Sequence, residues 1–344
     1  MPLKGKVIIL RFSAMGDVAM VASVLRELTA QNPEAEFVMV SRATFSAFFE
    51  DIPRLSFHAI QPKDKHKGVT GLYLLFKELS SYHPVAIADL HDNLRSRILS
   101  TFFRFKFIKV KRLDKGRKEK RELTRTHNKV FKQLKQTVER YADVFRNFGF
   151  SIKLSHKLTR DNRPLPESFM KLFGESTVPK IGISPFAQHR YKAYSFDKME
   201  EVLEQLNRLN YQIFIFGGSE EEKKLGEKWE QRFGNVKNLI GKFTLSEELS
   251  IISQLNLMLS MDSAGMHMAS LMGVPVVSIW GPTHPYAGFL GYGQLEEDCL
   301  QIAHEHRPSS IYGNKPCLCG DEPCIDLVSP SSVILKINER LSNG

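Results

Sequence analysis

The sequence predicts an α/β protein of two doubly wound domains, and three observations support this prediction. Short apolar runs alternate with longer amphipathic stretches through most of the 344 residues, as expected of parallel strands joined by crossover helices. Small and polar residues follow several apolar runs, where a parallel sheet places its ligand-binding loops. The alternation loosens over residues 158–179, which contain several prolines, and then starts again. We therefore predict an N-terminal domain over residues 1–165, a C-terminal domain over residues 175–328 and a terminal helix over residues 329–344.

The net charge of the chain indicates the kind of partner, and its apolar runs indicate its location. The formal net charge of +10 favours an anionic partner, which can be nucleic acid, an anionic membrane surface or a phosphorylated substrate. The apolar stretch at residues 7–10 is too short for a signal peptide. No run reaches the roughly 18 apolar residues of a membrane-spanning helix. We therefore expect a cytoplasmic protein.

The N-terminal half begins with a predicted strand over residues 6–12, a loop over residues 13–17 and a helix from about Val18 to Gln31. Gly16 allows the backbone to turn sharply, and Asp17 either caps the helix or faces a ligand. Further strands are predicted at residues 36–40, 55–60 and 85–90, with a helix at 68–82 and a long helix at 126–147. Polar residues at the end of the strand at 85–90 and just past it, Asp89, His91, Asp92 and Arg95, can line a ligand site. The alternative is that Asp92 or Asn93 caps the next helix and Arg95 is solvated.

Residues 104–125 are the most basic part of the chain, and four phenylalanines precede or interrupt their first charges. Such a segment can dock on an anionic membrane or hold a phosphorylated glycolipid. Nucleic acid would use the same charges, although no recognition-helix or zinc-finger pattern is present. A solvated loop without a partner is the remaining interpretation.

The C-terminal half repeats the alternation. Strands are predicted at residues 180–186, 211–217, 236–240 and 255–261, with helices at 196–209, 246–254 and after Ser219. A basic turn containing Lys192 follows the first of these strands, and Glu220 to Glu222 start the helix after the second. These acids either complement the helix dipole or accept hydrogen bonds from ribose hydroxyls.

Residues 255–283 are the most informative stretch, because a strand ends there on Asp262 and a short helix follows. The free N–H groups at the start of such a helix attract an anion such as a phosphate. Asp262 or Ser263 capping the helix is the structural alternative.

Three of the four cysteines, Cys317, Cys319 and Cys324, crowd into one C-terminal stretch, and the fourth is Cys299. They do not form two C-x-x-C pairs, so the zinc signal is weak. We favour reduced thiols in a loop over a metal site.

Several of these elements together resemble glycosyltransferase family 9, the heptosyltransferases that extend the lipopolysaccharide inner core. The motifs that carry the resemblance are Ser13-Ala-Met-Gly16-Asp17, Asp89-Leu-His-Asp-Asn-Leu-Arg95-Ser96, Glu139-Arg140-Tyr141, Asp262-Ser-Ala-Gly265-Met-His267, Gly273-x-Pro275 and Gly281-Pro282-Thr283. The resemblance implies a GT-B fold, in which two Rossmann-like domains face a cleft and bind acceptor and nucleotide-sugar donor respectively. It also implies inversion at the anomeric carbon without a metal or cofactor.

The resemblance further implies roles for individual residues. Asp17 matches the family's general base, and Lys192 matches the lysine that stabilises the departing diphosphate. The residues expected to bind the donor are Ser13, Gly16, Glu220, Asp262, Ser263, Ala264, Gly265 and His267. With the basic segment included, the residues expected to bind the acceptor are Asp89, His91, Arg95, Arg117, Lys118 and Lys120. His91 replaces the glutamine of the family's D-L-Q motif.

The expected function is transfer of heptose, or a related sugar, from an ADP-sugar to a lipid A core acceptor at the cytoplasmic face of the inner membrane. No nucleic-acid partner is expected. A GT-B transferase that uses a UDP-sugar is the enzymatic alternative, and a basic nucleic-acid-binding protein is the non-enzymatic one. A Rossmann oxidoreductase is disfavoured, because no strand is followed by G-x-G-x-x-G.

Overall fold

The computed structural model describes residues 5–173 and 178–342. The chain divides into two compact units. The first unit contains the chain up to Lys115 together with Thr137–Ser155, and the second contains Gly116–Gln136 together with the chain from His156. This division differs from the predicted domains, since residues 116–136 belong to the second unit and the first unit ends ten residues before residue 165. The predicted start of the second domain at residue 175, and residues 343–344 of the predicted terminal helix, lie outside the described residues.

Each unit contains one parallel sheet within these residues. The strands of the first sheet are β1 (Lys6–Leu10), β2 (Glu36–Arg42), β3 (Leu55–Ile60), β4 (Ala86–Asp89) and β5 (Lys109–Arg112), and they lie in the order β3-β2-β1-β4-β5. The strands of the second sheet are β6 (Lys180–Ser184), β7 (Gln212–Ile215), β8 (Val236–Asn238), β9 (Leu257–Met261), β10 (Val276–Ile279) and β11 (Cys299–Leu300), in the order β11-β10-β9-β6-β7-β8. Both sheets are therefore doubly wound, and the predicted α/β class is confirmed.

Helices join the strands of both sheets. They are α1 (Met15–Gln31), α2 (Gly68–Ser80), α3 (Leu94–Phe105), α4 (Arg117–Leu123), α5 (Thr137–Arg146), α6 (Glu167–Phe173), α7 (Phe196–Arg208), α8 (Glu220–Arg232), α9 (Leu245–Ser253), α10 (Ala264–Leu271) and α11 (Pro330–Ser342). No helix among the described residues is both long enough and apolar enough to cross a membrane.

The central strands form the hydrophobic cores, because a parallel sheet covered by helices buries both of its faces. In β1, the residues from Val7 to Leu10 are fully buried, and Ile8 lies in register between Val38 of β2 and Ile87 of β4. In the second unit, β6 and β9 pair in the same way, with Ile183 beside Leu259. Continuous apolar runs at these strands therefore reflect their central position.

Each sheet has a switch point, where the strand order reverses direction. In the first sheet it lies between β1 and β4, and in the second between β6 and β9. The loops after these strand pairs diverge at a switch point and leave a crevice that open α/β proteins use for ligands. Four of the polar residues singled out in the sequence, Asp17, Asp89, Lys192 and Asp262, lie at or after the ends of these four strands.

The predicted long helix over residues 126–147 is wrong in its first half. α5 begins at Thr137, and residues 124–136 have no regular secondary structure. The Leu134 N–H donates to the Tyr286 carbonyl at 2.9 Å, and the ring of Phe131 lies 5.1 Å from that of Tyr286. Leu134 also joins a small apolar cluster with Leu123 and Ala287. The apolar residues of this stretch pack on residues 284–289, so they are not available to line a helix.

Two smaller differences concern the first unit. α1 begins at Met15, so Gly16 and Asp17 lie in the first turn of the helix and not in the preceding loop. The basic segment contains β5 and α4, so it is not a loop throughout.

Candidate functional site

Asp17 is held by two side chains at the switch point of the first sheet. Its carboxylate forms an ion pair with the guanidinium of Arg11 and accepts a hydrogen bond from the Tyr141 hydroxyl at 3.2 Å. Arg11 follows β1 directly and also donates to the Leu90 carbonyl at 2.8 Å, at the end of β4. The Asp17 side chain keeps 25 % of its surface exposed. The carboxylate is thus fixed in one orientation and still reaches solvent, which suits a base that must meet a substrate.

Asp89 lies at the end of β4 and has no exposed surface. One of its oxygens accepts from the backbone N–H groups of His91 and Asp92, at 3.1 and 2.8 Å. The other accepts from the Ser96 hydroxyl at 3.1 Å. Burial raises the pKa of Asp89 above its ordinary value. Asp89 was predicted to bind the acceptor, and its burial instead supports a role in holding the loop that carries His91.

His91 is a neutral hydrogen-bond acceptor in this loop. Its Nδ1 accepts from the backbone N–H of Phe12 at 3.2 Å, and its ring stands edge-on to the Phe12 ring at 5.3 Å. Burial, followed by the nearby positive charge of Arg11, lowers the pKa of His91 from 6.5 to about 3. The ring therefore cannot take up a proton at neutral pH. A glutamine oxygen can accept the same hydrogen bond, which accounts for the exchange with the D-L-Q motif.

The His91→Gln variant is expected to resist acid better than the wild-type protein. The unfolded state binds a proton at His91 below pH 6.5, whereas the folded state does so only near pH 3, so stability is lost as the pH falls through this window. At pH 5 the variant should gain about 2 kcal/mol in the free energy of unfolding, and at pH 7.5 almost nothing. Urea unfolding at both pH values measures this difference.

The control for that experiment is the exposed His127. His127→Gln should leave the difference between the two pH values unchanged. Equal gains for both variants would show that His91 is not the group that limits acid stability.

The basic residues predicted to bind the acceptor differ in exposure. Arg117 and Lys118 lie on α4 with exposed side chains, and Arg95 on α3 is half-buried. Lys120 is 6 % exposed, and its ammonium lies 4.1 Å from the centroid of the Phe289 ring in a cation–π contact. Lys120 therefore secures α4 within the second unit, and the exposed pair next to it is better placed to meet a ligand.

Lys192 and Asp262 meet at the switch point of the second sheet. Lys192 ends a short 3₁₀ turn, Arg190–Lys192, in the loop after β6, and Asp262 follows β9. The Lys192 Nζ lies 3.1 Å from the Asp262 Oδ2, and their side chains are 15 % and 7 % exposed. Both side chains are largely withdrawn from water and pair with each other, so the Lys192 Nζ is held beside the start of α10, where an anionic ligand could bind.

The start of α10 supplies the second half of this site. Ser263 is the N-cap residue and its side chain caps no helix N–H. A Cβ atom built on Gly265 would overlap the Ser184 side chain at the end of β6, so only glycine allows this close approach. Ala264 opens the helix, and His267 lies one turn further on with 6 % of its surface exposed. The N–H groups of this first turn and the Lys192 ammonium can therefore act on one anion.

The glutamates after β7 have separate roles. The Glu222 carboxylate accepts from the backbone N–H groups of Gly218 and Ser219, at 2.7 and 3.0 Å, and completes a capping box with Ser219. Glu220 is exposed. The Glu222 carboxylate is thus used to cap α8. Glu220 remains our proposed contact to a ribose.

Sequence reasoning missed Arg11, Tyr141 and Gly313 as parts of these sites. Arg11 is the charged residue that directly follows the first apolar strand, and Tyr141 lies in the Glu139-Arg140-Tyr141 motif, so both carried a usable signal. Gly313 has φ of +74°, and a Cβ there would overlap the Lys192 side chain. Nothing in its local sequence indicates that contact.

The cysteines were predicted to be reduced, and for two of them this is wrong. Cys317 and Cys324 form a disulfide with a Cα–Cα distance of 6.0 Å. Cys299 and Cys319 are free thiols. The loop turns back on itself within seven residues, which is why a stretch without regular secondary structure can bring these side chains together.

Two doubly wound parallel sheets, each with polar residues at its switch point, define the GT-B class, as predicted. The sequence model of glycosyltransferase family 9 (heptosyltransferase) matches residues 73–310. The chain therefore belongs to this family and is a glycosyltransferase.

Individual relatives agree with this assignment. The chain is 24% identical over 287 residues to the lipopolysaccharide core heptosyltransferase OpsX of Haemophilus influenzae, covering 80% of this chain and 79% of that protein. Its fold is similar to a family 9 glycosyltransferase of Veillonella parvula, with a TM-score of 0.75, 18% identity and coverage of 100% and 99%. It is also similar to the E. coli ADP-heptose lipopolysaccharide heptosyltransferase II, with a TM-score of 0.68, 18% identity and coverage of 98% and 99%.

Proposed function

We propose that this glycosyltransferase moves a heptose from ADP-heptose to the inner core of a lipid A acceptor, with inversion at the anomeric carbon. The observation that carries the proposal is the Lys192–Asp262 pair beside the start of α10, at the switch point of the second sheet. A leaving diphosphate needs compensation of its growing negative charge, and this pair and the helix N–H groups are suited to provide it. The Asp17 carboxylate is suited to the remaining task of proton removal.

The proposed reaction is a single displacement. The oxygen of an acceptor hydroxyl bonds to the anomeric carbon from the face opposite the diphosphate. The bond between that carbon and the diphosphate oxygen breaks, and ADP leaves with the electron pair. Asp17 takes the proton of the attacking hydroxyl, while Arg11 and Tyr141 keep its carboxylate oriented. No covalent glycosyl-enzyme intermediate forms, and the configuration at the anomeric carbon is inverted.

Different residues are proposed to bind the different parts of the nucleotide sugar. Lys192 and the N–H groups from Ser263 to Gly265 hold the diphosphate, and Glu220 accepts from the ribose hydroxyls. Asp262 and His267 position the sugar and the phosphates, with Ser13 contributing from the loop after β1 and Gly16 from the first turn of α1. ADP-heptose is the preferred donor, because the E. coli relative of similar fold is described with that sugar nucleotide. A UDP-sugar is the alternative.

A panel of activated sugars with purified lipid A core acceptors tests the function. We expect release of nucleoside diphosphate with ADP-heptose and a rate at least tenfold lower with UDP-sugars. We also expect the rate in EDTA to equal the rate with magnesium, since Lys192 is proposed to replace a metal at the diphosphate. Turnover of none of the sugars would remove the proposed function, and inhibition by EDTA that magnesium reverses would contradict the metal-independent mechanism.

Acceptor binding is proposed to use the exposed cations of α4 together with Arg95 and His91. Lipid A cores carry phosphates and sugar carboxylates, which arginine and lysine recognise. The Arg117→Ala/Lys118→Ala double variant is expected to raise the KM for the lipid acceptor about tenfold and to leave the KM for the donor unchanged. Initial rates with each substrate varied in turn measure the two constants.

The matched control for this pair is Lys224→Ala/Lys228→Ala on α8, which also removes two charges from a helix of the second unit. It should change neither constant. An equal rise of both KM values in the α4 variant would remove the acceptor role.

We further propose peripheral binding to the cytoplasmic face of the inner membrane. Phe105 and Phe107, at the end of α3 and just after it, are 77% and 96% exposed, and basic residues alternate with them. Aromatic rings beside cations suit the interface of an anionic membrane. Flotation with anionic vesicles should be lost in Phe105→Ser/Phe107→Ser and kept in Leu335→Ser, which alters a leucine of 70% exposure on α11.

A further inference from the structure

The loop between β11 and α11 brings three cysteine thiols to one point. Residues 301–329 contain no helix or strand, yet the sulfur atoms of Cys317, Cys319 and Cys324 all lie within 4.8 Å of one another. Cys324 is fully buried, and the other two are half-buried. Among the described residues, this is the cluster of histidine, cysteine and acidic side chains with the spacing to hold a metal ion.

The disulfide accounts for only two of these thiols. Cys319 is free, and its sulfur lies within 4.8 Å of the other two. A tetrahedral site with zinc–sulfur bonds of about 2.3 Å places its sulfurs about 3.8 Å apart. Reduction of the disulfide would free the Cys317 and Cys324 side chains to rotate toward that spacing. Thiolates are also the ligands that zinc and ferrous iron accept readily.

The charges around the loop favour such a site. Cys319 interacts electrostatically with Arg307 and Lys129, and Arg307 is 2 % exposed. The Lys129 ammonium donates to the Glu305 carbonyl at 2.8 Å and to the Pro308 carbonyl at 3.3 Å. Three thiolates and one divalent cation carry a net charge of −1, which would help to compensate the charge of the buried Arg307, whose hydrogen bonds go to oxygen atoms of neutral groups.

We propose that Cys317, Cys319 and Cys324, when reduced, bind one zinc or ferrous ion through three thiolates, with a solvent molecule as the fourth ligand. A dithiol reductant supplies two electrons, and with two protons the Cys317–Cys324 disulfide becomes two thiols. Binding of the ion then releases three protons and closes the loop at three points. The disulfide is the oxidised form of the same cross-link.

The cross-link also positions Lys192, and this consequence rests on the proposed function. Gly313 packs directly against the Lys192 side chain. Ile325 Cβ lies 2.8 Å from the position of a Cβ on Gly281, and that position is 3.0 Å from the Tyr191 carbonyl. Gly313, four residues before Cys317, thus lies against the Lys192 side chain, and Ile325, directly after Cys324, lies near Gly281. A cross-link that fixes this segment would therefore restrain the Lys192 side chain through Gly313.

Cobalt substitution tests the site directly. The full-length protein is reduced with a phosphine, dialysed and titrated with Co²⁺, and the metal content is measured by mass spectrometry. We expect one ion per chain, with the thiolate-to-cobalt charge-transfer band and the intense visible bands of a tetrahedral site. Cys317→Ser, Cys319→Ser and Cys324→Ser should each weaken or abolish these bands, whereas Cys299→Ser, which removes the remaining thiol, should keep them.

The Cys319→Ser variant separates the proposal from a plain disulfide. It retains both cysteines of the disulfide, so unchanged cobalt binding in this variant would overturn the metal site. Absence of the bands in the reduced wild-type protein would overturn it as well. Transferase assays test the proposed function independently of the metal site, because absence of transferase activity would not alter the cobalt spectrum. If the metal site and the proposed transferase function are both correct, Cys319→Ser should lower kcat several-fold in reducing buffer and leave the rate of the oxidised protein unchanged.

Discussion

The Asp17→Asn variant is expected to lower kcat about 10³-fold, because an amide cannot accept the proton of the attacking hydroxyl. The Kd for the nucleotide sugar should stay within about threefold of the wild-type value, since the base acts on the acceptor. Single-turnover kinetics give the rate of the chemical step, and calorimetry with the donor alone gives the Kd.

Two companion variants make this result specific. Tyr141→Phe removes the 3.2 Å hydrogen bond to Asp17 but keeps the carboxylate, so its loss should be below about tenfold. Asp143→Asn changes a carboxylate of the same helix α5 that pairs with Arg146 and should keep the full rate. Full activity of Asp17→Asn with a normal melting temperature would exclude Asp17 as the base.

The Lys192→Ala variant is expected to lower kcat by about 10²-fold or more, because the proposed mechanism assigns this ammonium to the leaving diphosphate. Asp262→Ala should act differently and raise the donor Kd about tenfold before it affects kcat, since this carboxylate holds the ammonium in place at 3.1 Å. Binding of ADP alone should weaken in both variants. Calorimetry with ADP and steady-state kinetics together distinguish the two effects.

Stability needs its own control here, because removing one partner of a largely buried ion pair leaves the other uncompensated, at a cost of about 3 kcal/mol. Melting temperatures should therefore be recorded with and without ADP. Lys242→Ala breaks an exposed ion pair with Glu230 in the same unit and should change neither kinetics nor ADP binding. Unaltered ADP binding in Lys192→Ala would show that this lysine does not contact the diphosphate.

Much of the fold could be predicted because the central strands are buried on both faces and must be apolar. The continuous apolar runs at Val7–Leu10 and Leu257–Met261 are typical of central strands of a parallel sheet. The polar residues after them were therefore expected at the carboxyl edge of that sheet. That reasoning placed Asp17 and Asp262 near the switch points. It also required only local sequence, since each strand, turn and helix N-terminus is contiguous.

The parts that could not be predicted depend on contacts between distant segments. Residues 124–136 contain helix-forming side chains, but their packing on residues 284–289 decides their conformation. Lys120 resembles any other cation of the basic segment until the ring of Phe289 is placed beneath it. Spacing alone did not indicate the Cys317–Cys324 pair either, because a disulfide depends on where the loop returns.

The membership of Gly116–Gln136 in the second unit means that no single break in the chain separates the two units. A fragment ending at Ser155 would carry Leu123 and Leu134 away from Ala287, their partner in the apolar cluster. The second unit therefore cannot complete its core when expressed from His156 onward, and a hybrid with a related enzyme needs exchange points at 115/116, 136/137 and 155/156. During synthesis, residues 116–136 emerge long before residues 284–289, so this part of the second unit must wait for the chain to be nearly complete.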